Sequence, residues 1–263
     1  MITRWIGKLK SLGVLLRRFA VLFFALFQPV SVILIERRSG DLFSGQGTDP
    51  FIIPAGYAFS IWSVIVLGTI IYAIYQLLPR TYHMKIFDEI AGSSILVFMG
   101  FAYWIWLASM QELWGTVVVF IGMGLLLRTI YLKLLAESFS KFEQYFVRGS
   151  FALYYGWTTV AVFANLASAL HYYGLPQGGP AGLAWQAVVL LAAIFVSYQL
   201  LDEIYFSLPY FAAISWALVA IVVGTILAGV QAWPLIVLSI AGTAFLLYKG
   251  IQIIQHHHEE PSY

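Results

Sequence analysis

The sequence predicts an all-α fold, a polytopic membrane helix bundle of about eight transmembrane helices. Three observations predict it. The first is composition: 61% of the 263 residues are hydrophobic and only 10% are charged, against about 45–50% and about 25% in a globular domain. The second is segmentation. A membrane helix needs about 20 mostly apolar residues. Such segments recur at roughly 17–35, 57–79, 91–109, 113–135, 149–172, 184–201, 208–230 and 233–253. The third is charge placement. With the N-terminus inside, every one of the 14 basic residues except Arg37 and Arg38 falls on the inner side, as the positive-inside rule requires. Both termini are then expected in the cytoplasm. Omitting any one of the middle helices would scramble the bias.

The elements follow in order. Residues 1–16 carry Ile2, Trp5, Ile6, Leu9, Leu12 and Leu16 at helical spacing, with Arg4, Lys8 and Lys10 off that stripe. Two readings stand: an interfacial amphipathic segment on an anionic leaflet, or a helical extension of the first span. The apolar run has no small-residue cleavage site after it, so it reads as a retained helix. The stretch 36–56 has two prolines and several glycines and is the longest loop; loops of that length are usually functional or disordered. Pro29 and Pro209 sit in or beside helices as kink candidates. Trp114, Trp185 and Trp233 fall at outer helix starts, where an aromatic belt belongs. Gln231 and Ala232 leave room only for a tight hairpin between the last two spans. A polar tail, 256–263, closes the chain.

Much chemistry is absent. Without cysteine there is no disulfide, thiolate metal site or cysteine nucleophile. The spans hold almost no ionisable groups, which argues against an ion-coupled transporter. Arg128 lies near an inner helix end, within snorkelling reach. Asp202 and Glu203, at a predicted inner helix end, read as a solvated interfacial pair rather than a coupling site. His256, His257 and His258 read as solvated tail residues able to bind metal only adventitiously. His171, at the outer end of the fifth span, reads as an interfacial histidine or a ligand to a tetrapyrrole metal. No phosphate loop, paired carboxylates or activated nucleophile appears. What remains is an aromatic load of nine Trp, sixteen Tyr and twenty Phe. Trp62, Trp104, Trp106, Trp157 and Trp216 are not all explained by the belt. Such rings line cavities for flat apolar ligands or simply pack the bundle.

Two stretches resemble a known family. Pro54-Ala55-Gly56-Tyr57-Ala58-Phe59-Ser60-Ile61-Trp62 is similar to the start of the second helix of the tryptophan-rich sensory protein family. That family (TspO/MBR) is also called the translocator protein or peripheral benzodiazepine receptor family. Ile53 replaces the first proline of its pair, Pro54 and Trp62 keep the spacing, and Phe59 is offset by one. The fifth span resembles the family pattern Pro-Tyr-x-x-Trp-x-x-Phe-Ala-x-x-Leu-Asn. Tyr154, Trp157, Ala161 and Asn165 match it; Leu153, Val160 and Ala164 depart. The third span, with Trp104 and Trp106, looks like the Asn-x-x-Trp segment but lacks its asparagine.

The resemblance covers 17–172, five spans. It implies a five-helix TspO/MBR-like module followed by three additional transmembrane helices over 173–255, as in a longer bacterial branch of the family. It implies binding of a flat hydrophobic ligand, a tetrapyrrole (porphyrin) or sterol-like lipid, for sensing, storage or transfer. The alternative is an accessory or assembly subunit of a larger membrane complex, for example a photosynthetic pigment–protein complex. No enzyme is demanded, with porphyrin degradation, discussed for the family, left open. No cofactor is obligate; a bound porphyrin, pigment or lipid is compatible. Expected partners are the ligand, membrane lipids and a homodimer or complex partner, not nucleic acid. The expected location is a bacterial inner or internal photosynthetic membrane.

Spacing adds a geometry to the resemblance. Tyr154, Trp157, Ala161 and Asn165 recur at three and four residues and share one helix face. Together with Pro54, Tyr57, Trp62, Trp104 and Trp106 they are expected to line an aromatic cavity. It would lie in the outer half of the first five helices, lidded by the 36–56 loop. Asn165 either bonds the ligand or ties two helices together.

Overall fold

The structure is a computed structural model. It describes the backbone of residues 2–39, 49–227 and 232–259, and the side chains of 12–37, 49–227 and 232–256. The middle of the predicted 36–56 loop and Gln231 lie outside the described backbone; the amphipathic stripe before Leu12 and most of the polar tail lie outside the described side chains. Among the described residues the fold is helical, without strands.

There are eight long helices: α1 (Ile2–Ser39), α2 (Ile61–Tyr75), α3 (Lys85–Ser109), α4 (Leu113–Leu135), α5 (Gly149–Tyr172), α6 (Gly179–Glu203), α7 (Leu208–Leu227) and α8 (Trp233–Glu259). Residues 2–39 form one unbroken helix, so the N-terminal stretch continues the first span. A 3₁₀ turn, Gly56–Ser60, leads into α2. A single helical turn, Lys141–Glu143, and a π-helical segment, Gln144–Arg148, lead into α5.

The ends of these helices have identifiable causes. The apolar run of the second span extends to residue 79, but α2 stops at Tyr75. There Arg18 takes the Gln76 carbonyl at 2.7 Å, and Pro79 opens the following 3₁₀ turn. Helix α3 begins at Lys85, six residues before its predicted start, because Asp88 joins the same arginine at 2.7 Å. Pro29 inside α1 cannot donate to the carbonyl of Ala25. The Gln28 amide, 3.4 Å away, does so instead, which lets the proline sit in a membrane helix.

Helices α1, α3, α4, α5 and α2 close a ring, each packed on the next. The remaining three attach through α5: α6 and α7 pack on it, and α8 packs on α6 and α7. Helix α5 is therefore the hub. Among the described residues seven helices are long and apolar enough to cross a membrane, and α5 is not one of them. Its polar side chains meet protein rather than lipid: Tyr154, Tyr155, Thr158 and Thr159 are all buried. Thr159 Oγ1 lies 3.2 Å from Tyr210 Oη of α7.

One close approach fixes the hub to α7. A Cβ on Gly156 would collide with the Tyr210 carbonyl oxygen and lie 3.0 Å from its Cα. Only glycine allows these two backbones to touch.

An aromatic cluster at the head of the ring

The chain reaches the ring through a strap, residues 49–60. It turns at Pro50, whose carbonyl accepts from Ile53 N at 3.0 Å. Pro54 is buried in this strap. The 3₁₀ turn then sets the Phe59 ring 5.9 Å from Trp157, edge to face. Trp62 follows in the first turn of α2.

Trp62 is the centre of the site. Its ring centroid lies 4.8 Å from Phe101, 5.4 Å from Trp104, 5.5 Å from Tyr154 and 6.3 Å from Trp157. Phe120 of α4 closes on Trp104 at 4.9 Å. The rings come from α2, α3, α4 and α5, so the cluster plugs one end of the ring. Offset and edge-to-face geometries of this kind add attraction beyond burial.

Beneath the cluster lies a polar floor. Tyr154 donates to Gln28 Oε1 at 3.3 Å, and Gln28 Nε2 donates to Thr69 Oγ1 at 3.1 Å. These three buried groups join α1, α2 and α5. At the far end Arg18, 1% exposed, bonds Asp88 and the carbonyls of Gln76, Thr81, Tyr82 and Met84.

Of the residues expected at the site, the structure brings together Trp62, Trp104, Tyr154 and Trp157, with Ala161 and Asn165 continuing the same face of α5. Two stand elsewhere. Tyr57 is exposed and pairs with Trp216 of α7, ring centroids 5.5 Å apart. Trp106 is exposed and stacks on Tyr103 at 5.5 Å, because it is two residues from Trp104 and so faces out of the ring. Asn165 is occupied within the protein. Its Oδ1 accepts from Trp104 Nε1 at 3.2 Å and its Nδ2 donates to the Ala161 carbonyl at 2.8 Å, so it ties α5 to α3.

The expected open cavity is a packed cluster. A flat ligand between two ring faces needs a separation of about 7 Å, twice the ~3.5 Å contact distance of carbon atoms. None of the contacts around Trp62 reaches that. Two polar atoms in the cluster nevertheless lack partners. The indole N–H groups of Trp62 and Trp157 are buried and have no hydrogen-bond partner among the described residues. Leaving a buried donor unmade costs about 1–3 kcal/mol.

The described end of the expected lid, from Asp49 on, is tied to the helices around it. Ala55 N donates to the Ala220 carbonyl at 3.2 Å, and Trp216 Nε1 donates to the Ala58 carbonyl at 3.0 Å. Thr225 Oγ1 reaches the Phe51 carbonyl at 3.3 Å, and Gln177 Nε2 reaches that of Asp49 at 2.6 Å. Helix α7 thus holds the strap over the cluster. His171, half-buried, has Nδ1 2.7 Å from the Leu175 carbonyl, which engages one ring nitrogen at the end of α5.

The residues that sequence reasoning missed are Arg18, Gln28 and Thr69. A signal for two of them was present. Arg18, Val21, Ala25 and Gln28 recur at three, four and three residues, and all four are buried. That is one helix face, whereas Arg17 lies off it and is exposed.

A family model of TSPO-like proteins matches residues 16–251, which takes in the last three helices as well as the ring. No curated protein and no solved structure matches the chain. With a helical bundle of membrane-spanning apolarity and a family match over nearly its whole length, the chain is an integral membrane protein that belongs to the TSPO-like family.

Proposed function

We propose that the head of the five-helix ring binds a flat hydrophobic ligand, a tetrapyrrole or sterol-like lipid, for sensing, storage or transfer. One observation carries this reading: the two unpaired indole donors of Trp62 and Trp157 in a buried aromatic cluster. A ligand with an acceptor such as a porphyrin carboxylate would satisfy them and stack on the same rings. Its binding energy would offset the parting of the cluster. The membrane is proposed to be bacterial, with the end bearing Arg18, Lys133 and Lys249 in the cytoplasm and the aromatic cluster toward the outside.

The test is a titration of the purified chain with protoporphyrin, followed by tryptophan fluorescence. Trp62→Phe and Trp157→Phe keep an aromatic ring and remove the N–H. Each is expected to weaken saturable quenching about tenfold, the loss of one buried hydrogen bond. Unchanged binding in both variants would overturn the assignment. A second reading, a docking subunit of a larger membrane complex, is favoured by the fact that the rings already fill their own space. Stoichiometric partners after mild solubilisation, with no porphyrin binding, would select it.

A further inference from the structure

At the basic end of the bundle, away from the aromatic cluster, α6 and α8 part to leave a groove of about 340 Å³. Tyr198, Asp202, Tyr205, Lys249, Gln252 and His256 line it. We propose that this groove holds the headgroup of a zwitterionic phospholipid, the phosphate on Lys249 and the ammonium on Asp202.

Two features support it. The first is the charge pattern. Lys249 and Asp202 face one groove without forming an ion pair. Lys249 is held by Gln252 Oε1 at 3.0 Å and stands 5.9 Å from the Tyr198 ring. Gln252 in turn donates to Tyr248 Oη at 2.8 Å. An ammonium with only neutral partners is a ready phosphate site. The second is Asp202 itself. It lies in the last turn of α6, where the helix dipole disfavours an anion. Its neighbour Glu203 is compensated by Arg128; Asp202 has no cation among the described residues. A bound ammonium would supply one, and Tyr198 and Tyr205 would add ring faces for it.

The backbone at the groove has a local cause. Tyr205 and Phe206 both have positive φ, 55° and 61°, because they close α6: Tyr205 N donates to the Asp202 carbonyl and Phe206 N to the Leu201 carbonyl, both at 3.1 Å, the usual left-handed helix terminus. A Cβ on Gly250 would collide with the Phe206 ring, so that ring lies against the α8 backbone, and Tyr205, 63% exposed, lines the groove.

The experiment is native mass spectrometry of the purified full-length chain in detergent. It is titrated separately with phosphatidylethanolamine and phosphatidylglycerol of matched acyl chains. The first lipid is expected to be retained preferentially. Lys249→Gln and Asp202→Asn should each reduce that retention about tenfold, the loss of one charge-assisted contact. Arg17→Gln, an exposed basic residue outside the groove, serves as the control and should leave it unchanged. Equal retention of the two lipids overturns the proposal. So does retention that falls in Lys249→Gln but not in Asp202→Asn, which would mean a phosphate site only. Absence of retention, or retention indifferent to both substitutions, overturns it as well.

Discussion

Arg18 has almost no contact with solvent, yet each of its guanidinium nitrogens finds an oxygen. It closes the end of α2, the following turn and the start of α3 with one side chain. Removing one member of a buried pair costs about 3–5 kcal/mol. Arg18→Gln is therefore expected to destabilise by that order, read as a lowered unfolding midpoint in detergent. Arg17→Gln should change it by less than about 0.5 kcal/mol, as exposed substitutions do. Equal effects would mean that burial at position 18 is not what matters. By charge alone the two arginines look alike; the helical phase set by Val21 and Ala25 separates them. Glu143 is a second case. Burial would raise its pKa. Hydrogen bonds from the Ser140 side chain and backbone, from Tyr75, and the charge of Arg80 outweigh burial and hold it below its ordinary value. A depressed pKa means a contribution fully present above the unfolded value and lost as pH falls through the folded one. Thermal stability should therefore drop on acidification below about pH 4.5. Glu143→Gln should flatten that part of the profile; an unaltered slope would count against the pairing.

At the scale of the element, the apolar run 149–172 coincides with α5, Gly149–Tyr172. Its matched face, Tyr154 to Asn165, does point into the ring. Its second face was not legible. Tyr155, Gly156 and Thr159 meet α7, and nothing local in the sequence says that a helix so distant in the chain packs there. Gly156 is the test. Gly156→Ala adds a methyl group against the Tyr210 backbone, and overpacking costs about 1–3 kcal/mol. A Cβ on Gly92, also helical, would meet nothing within 4 Å. There the same change should be neutral or stabilising, since alanine is the better helix former. A loss at Gly92 equal to that at Gly156 would refute the close-contact account. The sequence groups Tyr57, from the resemblance, and Trp106, from the aromatic load, with the ring residues because neither a motif nor composition carries helical phase. The structure sends Tyr57 to α7 and Trp106 outward.

At the scale of the molecule, the division into a five-helix unit and three further helices understates how they join. The family match runs through both. Four hydrogen bonds tie strap carbonyls and amides to α7 and to Gln177. The helix count and order were legible because the bilayer imposes a length and an apolarity on each span. The inter-helix pairing was not, because every apolar face is equally acceptable to lipid. A chain ending at residue 178 would keep the ring but bare the Tyr155–Thr159 face of α5. It is expected to unfold at a lower temperature than the full chain, or to aggregate on size-exclusion chromatography. A truncated chain as stable and monodisperse as the full one would show that the ring stands alone.

The low apolarity of α5 bears on how the protein is made. The ribosome releases α5 before α7, so the hub enters the membrane ahead of a partner for its polar side. Insertion by hydrophobicity alone favours its neighbours over it. The membrane-integrated state of α5 must be secured first by the ring it completes and only later by α7. Biogenesis of this chain is therefore not a simple sequence of independent insertions: its least lipid-loving helix is committed early and becomes fully sheltered only after α7 has followed it into the membrane.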